Sequence, residues 1–237
     1  MELVFRDDPY AADCEATVVS VGPEGVVLDC TVFYPTGGGQ PGDTGVLVAA
    51  DGTEIPVTEA VKGDGPDDVL HKVAEGAPLP APGSRVTARI DWDRRYKHMR
   101  MHTTMHLLCS MVHHGVTGGQ VGADKSRLDF DSGGHSYDKD ELTEKLNALI
   151  ESDYAVEPRW IEERELDENP DLVRTLSVQP PRGTGQIRLM AVGDGAIDLQ
   201  PCGGTHVRRT GEIGKVRVSK IENKGKRNRR INIVFDE

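Results

Sequence analysis

RMHTTMHLL at residues 100–108 and QPCGGTHVRRT at 200–210 carry two pairs of metal-type side chains about a hundred residues apart. His102 and His106 are four residues apart, a spacing that on a helix projects both imidazoles from one face, close enough to share an ion. The first stretch therefore predicts a helix. In the second, Cys202 and His206 flank Gly203, Gly204 and Thr205, and two glycines permit a tight loop that turns thiolate and imidazole onto one point. Together the pairs make one tetrahedral set, so the fold has to bring a helix and a distant loop together. Three imidazoles and a thiolate suit a single zinc ion, whereas magnesium or calcium would ask for carboxylates and carbonyls. His98 shares the helical stripe of His102 and His106, and only two of the three can be chosen. Leu107, Leu108, Met111 and Val112 make the later pair the more apolar and hence the chosen one.

The net charge of -11 argues at first against a polyanionic partner, but its distribution reverses that inference. From Lys215 to Arg230 eight cations stand against one acid, Glu222, so this segment is net +7 and the remainder -18. The reading is a phosphate-binding strip, with a plain solvated face as its alternative. His98, among Arg94, Arg95, Lys97 and Arg100, reads as a solvated or RNA-facing helix end. His71, His113, His114 and His135 read as ordinary histidines. Cys14, Cys30 and Cys109 form no CxxC pair and read as reduced, small apolar fillers. MELVFRDD lacks a basic leader followed by an apolar run, and no stretch approaches the ~18 apolar residues a membrane span requires. The expectation is a soluble, cytoplasmic protein without a membrane partner.

Along the chain, apolar or alternating runs at 16–21, 26–33, 46–48 and 85–90, punctuated by Gly and Pro, predict a small β-barrel up to about residue 90. Pro78, Pro80 and Pro82 mark a connection rather than regular structure. Beyond the boundary, Asp93 or a neighbour caps a helix running to about His114, and Asp138 opens an amphipathic one with Leu142, Leu146 and Leu149 or Ile150 on its stripe. Strands are predicted at 156–161, 186–192 and 214–221, with INIVF closing the chain. The class is α+β, divided into 1–90 and 91–237.

TVFYPTGGGQPGDTG, residues 31–45, lets backbone approach a ligand closely, yet no GK[ST] and no helix follow it, so it is not a phosphate loop. A hairpin of the barrel is the plain alternative. This segment, then HTTMH, then PCGGTH, in that order and spacing, resembles the editing module of alanyl-tRNA synthetase and its free-standing relatives, the AlaX family of alanyl-tRNA editing proteins, medium-length type.

The resemblance implies a glycine-rich barrel joined to the α+β editing (deacylase) domain shared by threonyl- and alanyl-tRNA synthetases. It implies zinc at His102, His106, Cys202 and His206, no nucleotide cofactor, and hydrolysis of mischarged Ser-tRNA(Ala), with Gly-tRNA(Ala) as a second substrate. A pocket made for alanine rejects serine or glycine by only ~1 to 3 kcal/mol, which calls for a second, hydrolytic sieve. That sieve needs a polar group for the serine hydroxyl, a role the sequence offers to Thr31. Gln40 is placed to orient the acylated adenosine, and Asp198 to support a ligand histidine or activate water. Phosphate contacts fall to Lys215, Lys224, Arg227, Arg229 and Arg230, with Arg94, Arg95 and Arg100 as a second strip. Two other readings stand beside this one: a non-catalytic, zinc-stabilised tRNA-binding module, and a zinc hydrolase of small esters.

Overall fold

The computed structural model describes residues 1–65, 67–176, 179–180, 183 and 185–236. The chain divides into two compact units, 1–96 and 97–237. The division lies inside a helix that begins two residues after the boundary expected near residue 90.

The first unit opens with a short strand β1 (Glu2–Leu3) and one helical turn α1 (Val4–Asp7). Strands β2 (Asp13–Gly22), β3 (Gly25–Leu28), β4 (Cys30–Thr31), β5 (Gly45–Ala49), β6 (Glu54–Lys62), β7 (Val69–Val73) and β8 (Arg85–Ile90) follow. Six of them close a barrel in the order β2-β3-β7-β6-β5-β8. The apolar run at 26–33 does not stay one strand. It breaks at Asp29, so that β3 joins the barrel while β4 pairs in parallel with β1. The sequence reading did not mark β6 or β7. In β6, Ile55 and Val57 face inward, and a bulge between Val57 and Glu59 shifts the register so that Ala60 is buried next, which breaks the period-two pattern that marks a strand. The core of this unit runs from Leu3 to Ile90 and includes Phe33 and Tyr34.

The helix α2 (Trp92–Met111) holds no Gly or Pro over its 20 residues. Its first turn is capped by Asp91, whose carboxylate accepts from the Arg94 amide. It ends at Met111, three residues short of the expected His114. The second unit continues with β9 (Val116–Gln120), β10 (Lys125–Asp131), α3 (Lys139–Glu151), β11 (Val156–Glu162), α4 (Glu163–Glu168), β12 (Gln186–Val192), β13 (Asp198–Pro201), β14 (Val216–Lys224) and β15 (Asn228–Phe235). These strands form an antiparallel sheet β14-β15-β10-β9 and a second one β11-β12-β13. Asp138 caps α3 by accepting from the amides of Asp140 and Glu141. Leu142, Leu146 and Ile150 form the buried stripe of α3, and Asn147 binds both the amide and the carbonyl of Val216 in β14. The class is α+β with a closed barrel.

Candidate metal centre and the glycine-rich segment

Every residue of α2 from Met101 to Cys109 is buried, although five of the nine are polar or thiol-bearing. Polar groups at such depth have to be satisfied, and their partners define the site. His102 and His106 face the loop that follows β13, and the ligand atoms of His102, His106, Cys202 and His206 all lie within 4.8 Å of one another. Cys202 Sγ is 3.6 Å from His102 Nε2 and 3.2 Å from His206 Nε2. Tetrahedral ligands at zinc bond lengths stand about 3.5 Å apart, so these separations fit an ion at their centre.

The hydrogen bonds behind the rings fix which nitrogen faces inward. The Thr103 hydroxyl donates to the Met99 carbonyl at 3.0 Å, leaving its oxygen to accept from His206 Nδ1 at 3.1 Å. Asp198 Oδ2 accepts from His106 Nδ1 at 2.8 Å and from Gln200 Nε2 at 2.9 Å. Both rings therefore turn Nδ1 outward to a fixed partner and leave Nε2 as the atom that faces the centre. The Gly204 amide points at Cys202 Sγ, 3.4 Å away, and Arg188 donates to the carbonyls of Cys202 and Gly204, which sets the loop. Neither Gly203 nor Gly204 takes positive φ, and a Cβ at 203 would meet open space. Arg188 and the amide-to-sulfur bond hold the loop without a positive-φ residue at either glycine.

The electrostatics ask for a cation. Burial alone would raise the Cys202 thiol, but the His102 and His206 imidazoles more than reverse this and hold it well below its ordinary value. Burial, aided by the charge of His102, drives His206 down to about 3, so it stays neutral. At His106 burial works downward, yet the Asp198 carboxylate and the Cys202 sulfur outweigh it and raise the imidazole to about 10. A thiolate, a neutral imidazole and a strong demand for positive charge at His106 are the states a metal ion would satisfy.

Other residues singled out by the sequence lie elsewhere. Thr31, in the first unit, is fully buried. The Val26 carbonyl fixes the proton of His71 on Nδ1 at 3.0 Å, so His71 Nε2 accepts from the Thr31 hydroxyl at 2.8 Å, and the Phe33 amide donates to the same hydroxyl at 3.0 Å. His71 is thus the partner of Thr31 rather than an ordinary histidine. Gln40 is buried at the end of a tight turn: its amide and carbonyl pair with those of Gly37 across Gly38 and Gly39, at φ 56° and 82°. At Gly42 and Gly45 a Cβ would collide with the Ala60 and Arg89 carbonyls. The segment is therefore a pinned excursion between β4 and β5 rather than a barrel hairpin.

The pin itself was not read from the sequence. Arg95 is wholly buried and forms an ion pair with Asp43, while also donating to the carbonyls of Val32 at 2.6 Å and Pro9 at 3.0 Å. Asp43 in turn accepts from the Tyr34 amide. Arg95 thus faces the barrel core, and His98, 2 % exposed, is no solvated helix end. Arg100 donates to the Ile213 carbonyl and lies over the Phe235 ring, so the second basic strip expected from Arg94, Arg95 and Arg100 does not form. In the main strip, Arg227 is paired with Asp131 and Arg230 with Asp129, while Lys215 and Lys224 are exposed.

Residues 187–232 match the family model of the threonyl and alanyl tRNA synthetase second additional domain, and residues 9–94 match that of class II (A) tRNA synthetases. The alanyl-tRNA editing protein AlaX-M of Methanosarcina acetivorans is 38 % identical, with 97 % of each chain covered. The chain belongs to the AlaX family. Its relatives there include the AlaX-M protein of Saccharolobus solfataricus, 34 % identical over 97 % of each chain. The alanine–tRNA ligase of Pyrococcus furiosus is 36 % identical over 92 % of this chain but only 24 % of its own, so the likeness is to one part of that larger enzyme. In this AlaX chain all four donors of the metal cluster are present and converge.

Proposed function

We propose that this protein is a zinc-dependent, cytoplasmic trans-editing hydrolase of mischarged tRNA(Ala). It removes serine from Ser-tRNA(Ala), takes Gly-tRNA(Ala) as a second substrate and spares Ala-tRNA(Ala). The observation that carries the reading is the buried donor set of His102, His106, Cys202 and His206 in a chain whose full-length relatives are alanyl-tRNA editing proteins. Among the described residues no helix is long and apolar enough to cross a membrane.

Zinc held there would supply Lewis acidity and a fixed positive charge beside the ester. Asp198, through His106, and Thr103, through His206, hold the ligand rings in the tautomer that faces the ion. With its oxygen shared between His106 and Gln200, Asp198 is better suited to supporting the ligand than to activating water. Thr31 remains our discriminating residue. Its proton is spent on His71 and one lone pair on Phe33, so the remaining lone pair would accept from a serine hydroxyl, a bond alanine cannot make. Gln40 orients the terminal adenosine, and Lys215, Lys224, Arg227, Arg229 and Arg230 meet phosphates.

A second reading has one observation in its favour. Four protein donors make a closed set, the usual pattern of a structural zinc site in a tRNA-binding module. Release of labelled serine from Ser-tRNA(Ala), with Ala-tRNA(Ala) alongside and Cys202→Ala as control, separates the two. Rapid loss of serine alone, abolished in the variant, supports the hydrolase. No release by folded, zinc-loaded protein refutes it and leaves the module.

A further inference from the structure

Three rings that the metal centre does not use meet at one end of the four-stranded sheet. His135 and Tyr137 have ring centroids 4.9 Å apart at 67°, and His114 lies 6.2 Å from His135 and 6.3 Å from Tyr137. The first two belong to SGGHSY, residues 132–137, a loop tied to the β14–β15 hairpin. The amides of Ser132 and Gly134 and the Ser132 hydroxyl all donate to the Arg227 carbonyl, and Arg229 donates to the Gly134 carbonyl. The loop and the hairpin thus form one piece. That hairpin carries the basic turn NKGKRN, residues 223–228, in which Lys224 and Lys226 are exposed and make no ion pair among the described residues. The rings are therefore carried by the same piece of structure as exposed positive charge.

The cluster is not finished as core. The Tyr137 hydroxyl is buried without any hydrogen-bond partner, although a phenylalanine would pack there without that cost. His135 is exposed and His114 half-buried, so imidazole faces are open to solvent. Exposed rings on a basic hairpin match the chemistry by which proteins hold unstacked nucleotides: stacking on the base and charge on the phosphate. Position points to which nucleotide. His114 follows the C-terminal end of α2, eight residues beyond the ligand His106, a path of about 20 Å at most. A single strand whose end was held at the metal centre would need only a few nucleotides to reach this point.

We propose that the His114–His135–Tyr137 cluster, fixed on the basic β14–β15 hairpin, is a stacking site for an unpaired nucleotide of the tRNA acceptor end. The inference rests on the reading of the substrate as an aminoacyl-tRNA. Its alternative is that the rings merely pack the loop.

The test is the affinity of the full, zinc-loaded chain for uncharged tRNA(Ala) over a series of salt concentrations, with thermal melting and serine release measured in parallel. His135→Ala should weaken binding about 5- to 100-fold without changing the salt slope, and His135→Phe should restore it, because stacking needs a ring and not a charge. Lys224→Ala with Lys226→Ala should instead lower the salt slope by about 1.5. Removing the unpaired 3′ nucleotides should weaken the wild type by more than it weakens His135→Ala, since the truncation takes away the stacked base along with the contacts at the metal centre. The proposal is overturned if His135→Ala binds like the wild type, if His135→Phe fails to rescue, or if truncation and substitution act additively. Unaltered serine release by the wild type in such a case would leave the hydrolase reading intact. Tight, ring-dependent tRNA binding with no serine release would overturn that reading and keep this one.

Discussion

His71 should make the barrel acid-labile, and the size of the effect follows from its surroundings. The side chain is fully buried, its Nδ1 proton given to Val26 and its Nε2 accepting from Thr31, which leaves no room for a second proton. Burial accordingly drives it from 6.5 to about 4. The folded pKa lies below the unfolded one, so this stability is fully present above pH 6.5 and is lost as pH falls toward 4, where the unfolded chain binds a proton that the folded chain refuses. The displacement corresponds to a loss of about 2 kcal/mol at pH 5 and about 3 kcal/mol at pH 4. The perturbation is His71→Gln, which keeps a donor and an acceptor but does not titrate. Trp92 packs against the barrel core, whereas Trp160 in the second unit is 53 % exposed. Urea unfolding followed by Trp92 fluorescence in a Trp160→Phe background therefore reads the barrel. Between pH 7.5 and 4, the protein with His71 should lose about 3 kcal/mol more than His71→Gln. Equal pH slopes in the two proteins would refute the assignment of a neutral His71 locked against Thr31.

Breaking the buried pair by Asp43→Asn should cost about 3–5 kcal/mol in the same urea assay, because Arg95 is left charged and unpaired; a loss under about 1 kcal/mol would mean the pair is not buried as described. Thr103→Val and Asp198→Asn should each weaken zinc binding about 10- to 100-fold in a chelator competition, since each frees the tautomer of a ligand ring; unchanged affinity would sink that role. The purified chain should carry one zinc ion by elemental analysis, and Cys202→Ala or His206→Ala essentially none. Thr31→Val should reduce serine release while leaving zinc content unchanged, and equal rates with Thr and Val would remove Thr31 from discrimination.

The convergence of the four candidate donors was legible because their chemistry is carried by residue type and local spacing: HTTMH needs only a helix, and a Cys and a His four residues apart need only a loop. The groups that orient them were less so. Thr103 lies inside the motif, but its hydroxyl acquires meaning only once His206, a hundred residues away, is placed against it. Gln200 and Arg188 act through atoms that sequence leaves unspecified, an amide nitrogen on Asp198 and a guanidinium on two loop carbonyls. Arg95 was misread for a physical reason. A run of cations at a helix start is ordinarily solvated, and only the acid at 43, brought close by the glycine-rich excursion, makes burial of the guanidinium tolerable. Strands β6 and β7 escaped because a bulge breaks the alternation of the first and the second spans only five residues.

The protonation pattern at the centre also bears on what the four-donor set is for. A purely structural site needs only ligands that match the ion, yet here one ligand ring is backed by a buried carboxylate and another by a neutral hydroxyl. A carboxylate behind His106 pushes electron density toward the centre, while Thr103 behind His206 does so only weakly, so the two Nε2 donors differ in strength. Asp198→Asn, which would even the two rings, should therefore depress serine release by more than its loss of zinc accounts for. If activity per bound zinc is unchanged in Asp198→Asn, the asymmetry has no part in the reaction and the carboxylate serves the fold alone.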